Sequence, residues 1–220
     1  MEDRVDNRDL PVTDDLAPQS SGAQLTRASG LERMPPRARE EFPWLEAPTE
    51  QDLSVIGCQL GRPPRGETLV ARRCELGRPA VLLTLPYQGS GGSVPPLLWL
   101  SCPYEAREVA RMESDGTIHR FGETLERRDA EDEEKRLFIE GERRFGRVQA
   151  LLAEGCGGTP AEKLEERGVA GGRPGAVKCL HAHLAYKLAS GRGVVGGWCL
   201  EELDNNKGRV CERIPEACLT

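Results

Sequence analysis

The longest apolar runs in this sequence are residues 81–85 (VLLTL) and 94–100 (VPPLLWL). A membrane-spanning helix needs about 20 apolar residues, so neither run crosses a bilayer. Short runs rich in Val and Leu, bounded by Gly and Pro, have instead the length and punctuation of β-strands. Residues 68–74 (TLVARRC) and 80–85 flank the turn Leu76-Gly77-Arg78-Pro79 and predict a hairpin, which Pro86 ends. After the loop GSGGS at 89–93, residues 97–100 predict a third strand, and its unbroken apolar character predicts burial on both faces.

The rest of the chain reads as helix and loop. Residues 48–52 (PTEQD), followed by Leu53, Ile56 and Leu60, predict a capped helix over 49–60. Pro103 opens a second helix, with Val109 and Met112 on its apolar side, and Gly116 stops it. A longer helix is expected over 122–152, a helical turn at 161–166, and a last helix over 176–189 that ends at Gly191. The fold expected is α+β: a small, mainly antiparallel three-stranded sheet packed with about four helices.

Charge divides the chain. Residues 1–50 carry 11 acidic and 6 basic side chains, against −6 for all 220 residues, so the remainder is almost neutral. With no apolar period, residues 1–48 predict a disordered, acidic and proline-containing tail, with residues 42–45 (FPWL) as an anchor on the domain. A single domain is expected over 49–200, with a C-terminal extension over 201–220. Nine acidic and seven basic residues between Glu123 and Arg147 read as a solvated helix face laced with i,i+4 pairs. No basic stripe points to nucleic acid. The acidic start MEDRVDNRDLPVTDD lacks the form of a signal peptide, and the eight cysteines lack the spacing of a secreted disulfide scaffold, so a cytoplasmic protein with reduced cysteines is expected.

Two groups of residues could carry chemistry. Cys102 stands at a strand end just before a helix, where a helix N-terminus favours thiolate. Cys74 ends the first predicted strand and points to the same sheet edge. The gap between the two strands is about 10 Å if the second strand lies between them and about 5 Å if they are neighbours. In VKCLHAHLAYKL, a helix regular from Val177 places Cys179 and His183 one turn apart on the face opposite the apolar stripe, with His181 nearer the stripe. These positions predict a Cys3His zinc site from Cys74, Cys102 and Cys179 with either His181 or His183. Separately, Arg62 and Arg65 in GRPPRG form a stiffened loop able to hold phosphate. No Walker loop, GxGxxG, HExxH, GxSxG or kinase signature is present.

The pieces LGRPPRG at 60–66, RC and GRP around Cys74 and Pro79, WLSCP at 99–103 and VKCLH at 177–181, taken in order, resemble a bacterial family, the domain of unknown function 501. The resemblance implies that Arg62, Pro63, Cys74, Cys102, Pro103, Cys179 and His181 belong to the shared pattern, and that Cys58, Cys156, Cys199, Cys211 and Cys218 lie outside it. The family pattern favours His181, the helical wheel His183. The resemblance implies no assigned activity. The reading ranked first is therefore a non-catalytic accessory or interaction protein with an unidentified protein partner. The alternatives are a zinc- or thiol-dependent enzyme centred on Cys102 with Cys74, Cys179 and a histidine, and a phosphate or nucleotide binder using Arg62 and Arg65.

Overall fold

Twelve elements follow one another in the computed structural model, which describes residues 30–64, 66–86, 96–154 and 161–205. In chain order they are α1 (Gly30–Arg33), α2 (Pro36–Glu41), α3 (Glu50–Leu60), β1 (Thr68–Arg73), β2 (Pro79–Thr84), β3 (Leu98–Leu100), α4 (Pro103–Ser114), α5 (Thr117–Glu126), α6 (Glu133–Ala153), α7 (Ala161–Glu165), α8 (Leu180–Ser190) and α9 (Val194–Asn205). One antiparallel sheet of order β1-β2-β3 and a helical majority make the fold α+β, as expected, with more and shorter helices than the sequence suggested.

Helix α3 starts where its capping residues dictate. Thr49 accepts a hydrogen bond from the Asp52 amide at 3.1 Å, and the Asp52 carboxylate accepts one from the Thr49 amide at 2.9 Å. Gly61, at φ 67°, closes the helix in the left-handed conformation. The same Asp52 carboxylate receives both Nη atoms of Arg73 on β1, at 2.7 and 2.8 Å. This two-pronged contact holds the buried Asp52 carboxyl well below the usual carboxylate range. Glu46 and the Gly77 carbonyl are further partners of Arg73, and the Glu46 backbone pairs with Val70 on the outer edge of β1.

In the sheet, Leu69 faces Leu83 and Val81 faces Leu100. Burial on both faces, expected of the third strand, belongs instead to central β2, all six of whose residues are buried; β3 is half-buried at Trp99 and Leu100. The reason is packing, because β2 lies between β1 and β3 and is in contact with both α3 and α8. One core lies between the sheet, α2, α6 and α8, around Phe42, Leu69, Leu83, Phe145 and Tyr186. A second joins α4, α5, α6, α8 and α9 around Val109, Phe121, Phe138, Leu184 and Leu203.

Four expectations are corrected. Residues 1–29 of the expected tail lie outside the described residues, but 30–48 include α1 and α2, and Met34, Ala38 and Phe42 are buried in the first core. Their spacing of four residues is helical, and the polar residues between them obscured it. The long helix over 122–152 is two helices, because Asp132 caps a new one by accepting from the Lys135 amide at 3.1 Å, while Lys135 Nζ donates to the Arg128 carbonyl. Its charge run does form i,i+4 pairs, Arg127 with Glu123 and Arg128 with Asp132. The last expected helix begins at Leu180 rather than 176, and α9 follows it across the boundary drawn at residue 200. Finally, Cys74, Cys102, Cys179 and Cys199 carry thiols, whereas Cys58 is disulfide-bonded, against the expectation of reduced cysteines throughout.

Candidate metal centre

Cys179 is the N-cap of α8, in extended backbone at φ −147°, so its side chain leaves the chain just before the helix turns. His181 follows in the first turn, and its Nε2 lies 2.9 Å from the Ala106 carbonyl of α4. A carbonyl can only accept, so Nε2 carries the proton and Nδ1 is the nitrogen that faces the cluster. Glu113, in the last turn of α4, places Oε1 3.2 Å from that Nδ1 and accepts the Leu180 amide at 2.7 Å. The carboxylate thus binds an otherwise orphaned amide at the start of α8.

Among the described residues, the three whose donor atoms all lie within 4.8 Å of one another are Glu113, Cys179 and His181. All three are partly exposed, His181 by 30% and Glu113 by 25%. The Cys179 sulfur, then the Glu113 carboxylate and the Ala106 carbonyl, hold the His181 imidazole up to about 9, against the opposing effect of burial. Buried Cys199, on α9, is pushed up to about 12 by burial and by the charge of Glu113.

The Cys3His arrangement expected from the sequence is not what the chain assembles. Cys102 caps the start of α4 while Glu113 ends it, about 16 Å away at 1.5 Å per residue, so Cys102 cannot join Cys179. With β2 between β1 and β3, the strands that carry Cys74 and Cys102 are two inter-strand spacings apart, about 10 Å. Both thiols line a separate cavity of about 390 Å³ together with Arg72, Tyr104 and Leu200. Arg62 is exposed, with its guanidinium on the Pro63 carbonyl, and Arg65 lies outside the described residues.

His183 is the second correction. The wheel that paired it with Cys179 assumed a helix regular from Val177; the helix starts at Leu180, so Cys179 is extended and off that face, and α8 is buried on most of its sides, which leaves His183 3% exposed and tilted against Phe138. Its Nδ1 lies 3.6 Å from Glu142 Oε1, and its Nε2 has no hydrogen-bond partner among the described residues. Glu142, also buried, accepts the Val169 amide at 3.2 Å. Burial pushes Glu142 up to about 8 and His183 down to about 4, so the two are held without net charge.

This pair has a consequence for stability against pH. Glu142 binds its proton more tightly in the folded state, so its contribution is present at low pH and is lost as pH rises toward about 8. His183 acts oppositely, costing stability as pH falls from the unfolded value of about 6.5 toward about 4. Above pH 6.5 Glu142 therefore acts without opposition from His183, while His181, held up to about 9, adds a loss of the same sign. Urea unfolding should show stability falling between pH 6.5 and 8.5, and Glu142→Gln should remove part of that slope. An unchanged slope in Glu142→Gln would refute the assignment.

A sheet of three antiparallel strands, with a thiol, an imidazole and a carboxylate gathered where α4 meets α8, defines a small α+β protein whose cluster has the donor atoms to hold a metal ion. A family model described as "Protein of unknown function (DUF501)" matches residues 70–201, more than half of the chain, and the protein belongs to that family. The match contains the whole cluster. No curated protein and no solved structure matches the chain. No helix among the described residues is long and apolar enough to cross a membrane.

Within the cluster, Cys179 and His181 were legible in VKCLH. Glu113 was not, because nothing in its local sequence ARMESD separates it from the other carboxylates of that helix.

Proposed function

We propose that this protein binds one divalent transition-metal ion of the zinc class through Glu113, Cys179 and His181. The observation that carries the reading is the mutual approach, within 4.8 Å, of one sulfur, one nitrogen and one oxygen donor. Zinc accepts this mixed donor set at about 2.0–2.3 Å, which calls for only small rotamer adjustments. The bond from Nε2 to the Ala106 carbonyl supports it, since ligating histidines regularly donate their second N–H to a carbonyl or carboxylate and so fix which nitrogen faces the metal. Three protein ligands leave a fourth position for water or a partner's side chain. In this reading the accessory or interaction role expected from the sequence rests on a metal-bearing surface between α4 and α8. Because the metal must displace a proton from His181, its affinity falls as pH is lowered.

Titration with cobalt(II) tests the proposal. The wild-type protein should develop the near-ultraviolet band of a thiolate-to-cobalt bond, Cys179→Ser should lose it, and His181→Ala should weaken binding by about 100-fold or more. Cys102→Ser and Cys74→Ser should leave the band unchanged. A band that survives Cys179→Ser, or that vanishes in Cys102→Ser, refutes this ligand set.

A further inference from the structure

Glu41, 2% exposed, lies at the end of α2 inside the protein and is fully engaged. The Tyr186 hydroxyl donates to its Oε1 at 2.6 Å, Arg144 Nε donates to Oε2 at 2.6 Å, and Arg192 Nε lies 3.8 Å from Oε1. Arg144 therefore spends its Nε on the buried carboxylate, Arg192 stands beside it as a looser ion-pair partner, and neither arginine's Nη atoms make a hydrogen bond among the described residues. A guanidinium fixed along one edge presents its remaining donors in a set direction, which lowers the entropy lost when an oxyanion binds them.

Those two arginines, with Lys187, form one end of a groove of about 380 Å³ between α6 and α9. That volume is in the range of small-molecule sites. The middle of the groove has little side chain: Gly141 and Gly193 lie over the Tyr186 ring, and a Cβ on Gly197 would meet nothing within 4 Å. Leu137, 50% exposed, supplies an apolar wall. At the other end are Glu201 and Glu134, the latter ion-paired with Arg128, and Trp198, whose indole Nε1 donates to Glu134 at 3.4 Å and whose ring also meets Arg128 and Phe121. Glu140, one turn before Arg144 on α6, also lines the groove, which therefore runs from three basic groups at one end, past Glu140 and Leu137, to carboxylates at the other. An inorganic anion would use only the first part.

We infer that this groove binds a small phosphate monoester, its phosphate on Arg144, Arg192 and Lys187, its flat body against Leu137 and Trp198, and its hydroxyl or amino donors on Glu134 and Glu201. A phosphate monoester brings nearly two negative charges at neutral pH and acceptors for both guanidinium forks. The position differs from the Arg62 and Arg65 loop that the sequence singled out, and the inference does not depend on a metal at Glu113.

Calorimetric titration of the full-length protein with adenosine 5′-monophosphate, in the presence of EDTA so that metal plays no part, tests it. Adenosine and inorganic phosphate are the two half-ligand controls. The monophosphate is expected to bind at least about 10-fold more tightly than either control, and Arg192→Gln to weaken it about 10-fold. Gly197→Leu should fill the groove and abolish binding while the melting temperature stays at or above that of wild type. The inference is overturned if the monophosphate binds no better than adenosine, or if Gly197→Leu binds it as wild type does.

Discussion

Gly196→Val is expected to destabilise the protein by about 4 kcal/mol, and Gly196→Ala by about 2 kcal/mol, because the site has no room for a side chain. A Cβ on Gly196 would stand 2.3 Å from the His183 carbonyl oxygen and 2.5 Å from Lys187 Cβ. The first of these is backbone in the middle of α8 and cannot swing aside. Overpacking costs about 1–3 kcal/mol, and the helix preference of Ala over Gly returns at most about 1 kcal/mol. Valine adds two methyl groups against the same backbone. Gly197, one position on, is the control: its Cβ meets nothing within 4 Å, so Gly197→Ala should be neutral or stabilising. Urea denaturation of the three variants decides the matter, and a Gly196→Ala protein as stable as wild type would show that α9 does not rest on α8 through this contact. Since Cys179 caps α8, Gly196→Val should also weaken cobalt binding.

Gly196 also shows why α9 escaped the sequence reading. Gly196 and Gly197 inside VVGGWCLEELDN look like a break when only local propensity is considered. In the fold, the first of them is what lets two helices touch. Elements whose determinants are local were legible: the Thr49 and Asp52 capping box, the turn at Gly77 and Pro79, and Pro103 opening α4. Met34, Ala38 and Phe42 had helical spacing, but their significance depends on a sheet more than 25 residues later in the chain.

The site divides in the same way. Cys179 and His181 were visible as neighbours in sequence, whereas choosing between His181 and His183 required knowing that α8 turns the first toward α4 and the second toward α6. The Cys3His expectation failed on a contact that no sequence pattern encodes, the docking of Cys179 beside Glu113, at the end of α4 far from Cys102. Glu142 sat within a charge run read as a solvated face, and it is the member of that run that tertiary packing buries most deeply beside His183.

Glu41→Ala should have the other large effect, a loss of about 3 kcal/mol. The carboxylate is 2% exposed, and removing it strands the Tyr186 hydroxyl, itself 1% exposed, and takes from Arg144 its carboxylate partner. Breaking a buried charged contact from one side costs about 3–5 kcal/mol. Arg144 is 40% exposed and can turn to water, which places the expected loss at the low end of that range. Glu41→Gln keeps an acceptor for Tyr186 and should cost about half as much, while Tyr186→Phe should cost about 1 kcal/mol. If the three groups act as one unit, Glu41→Ala combined with Tyr186→Phe will cost less than the sum of the single changes, because the stranded hydroxyl is then gone. Thermal and urea unfolding give these differences. A Glu41→Ala protein within 0.5 kcal/mol of wild type would mean that the carboxylate is not the anchor of this network.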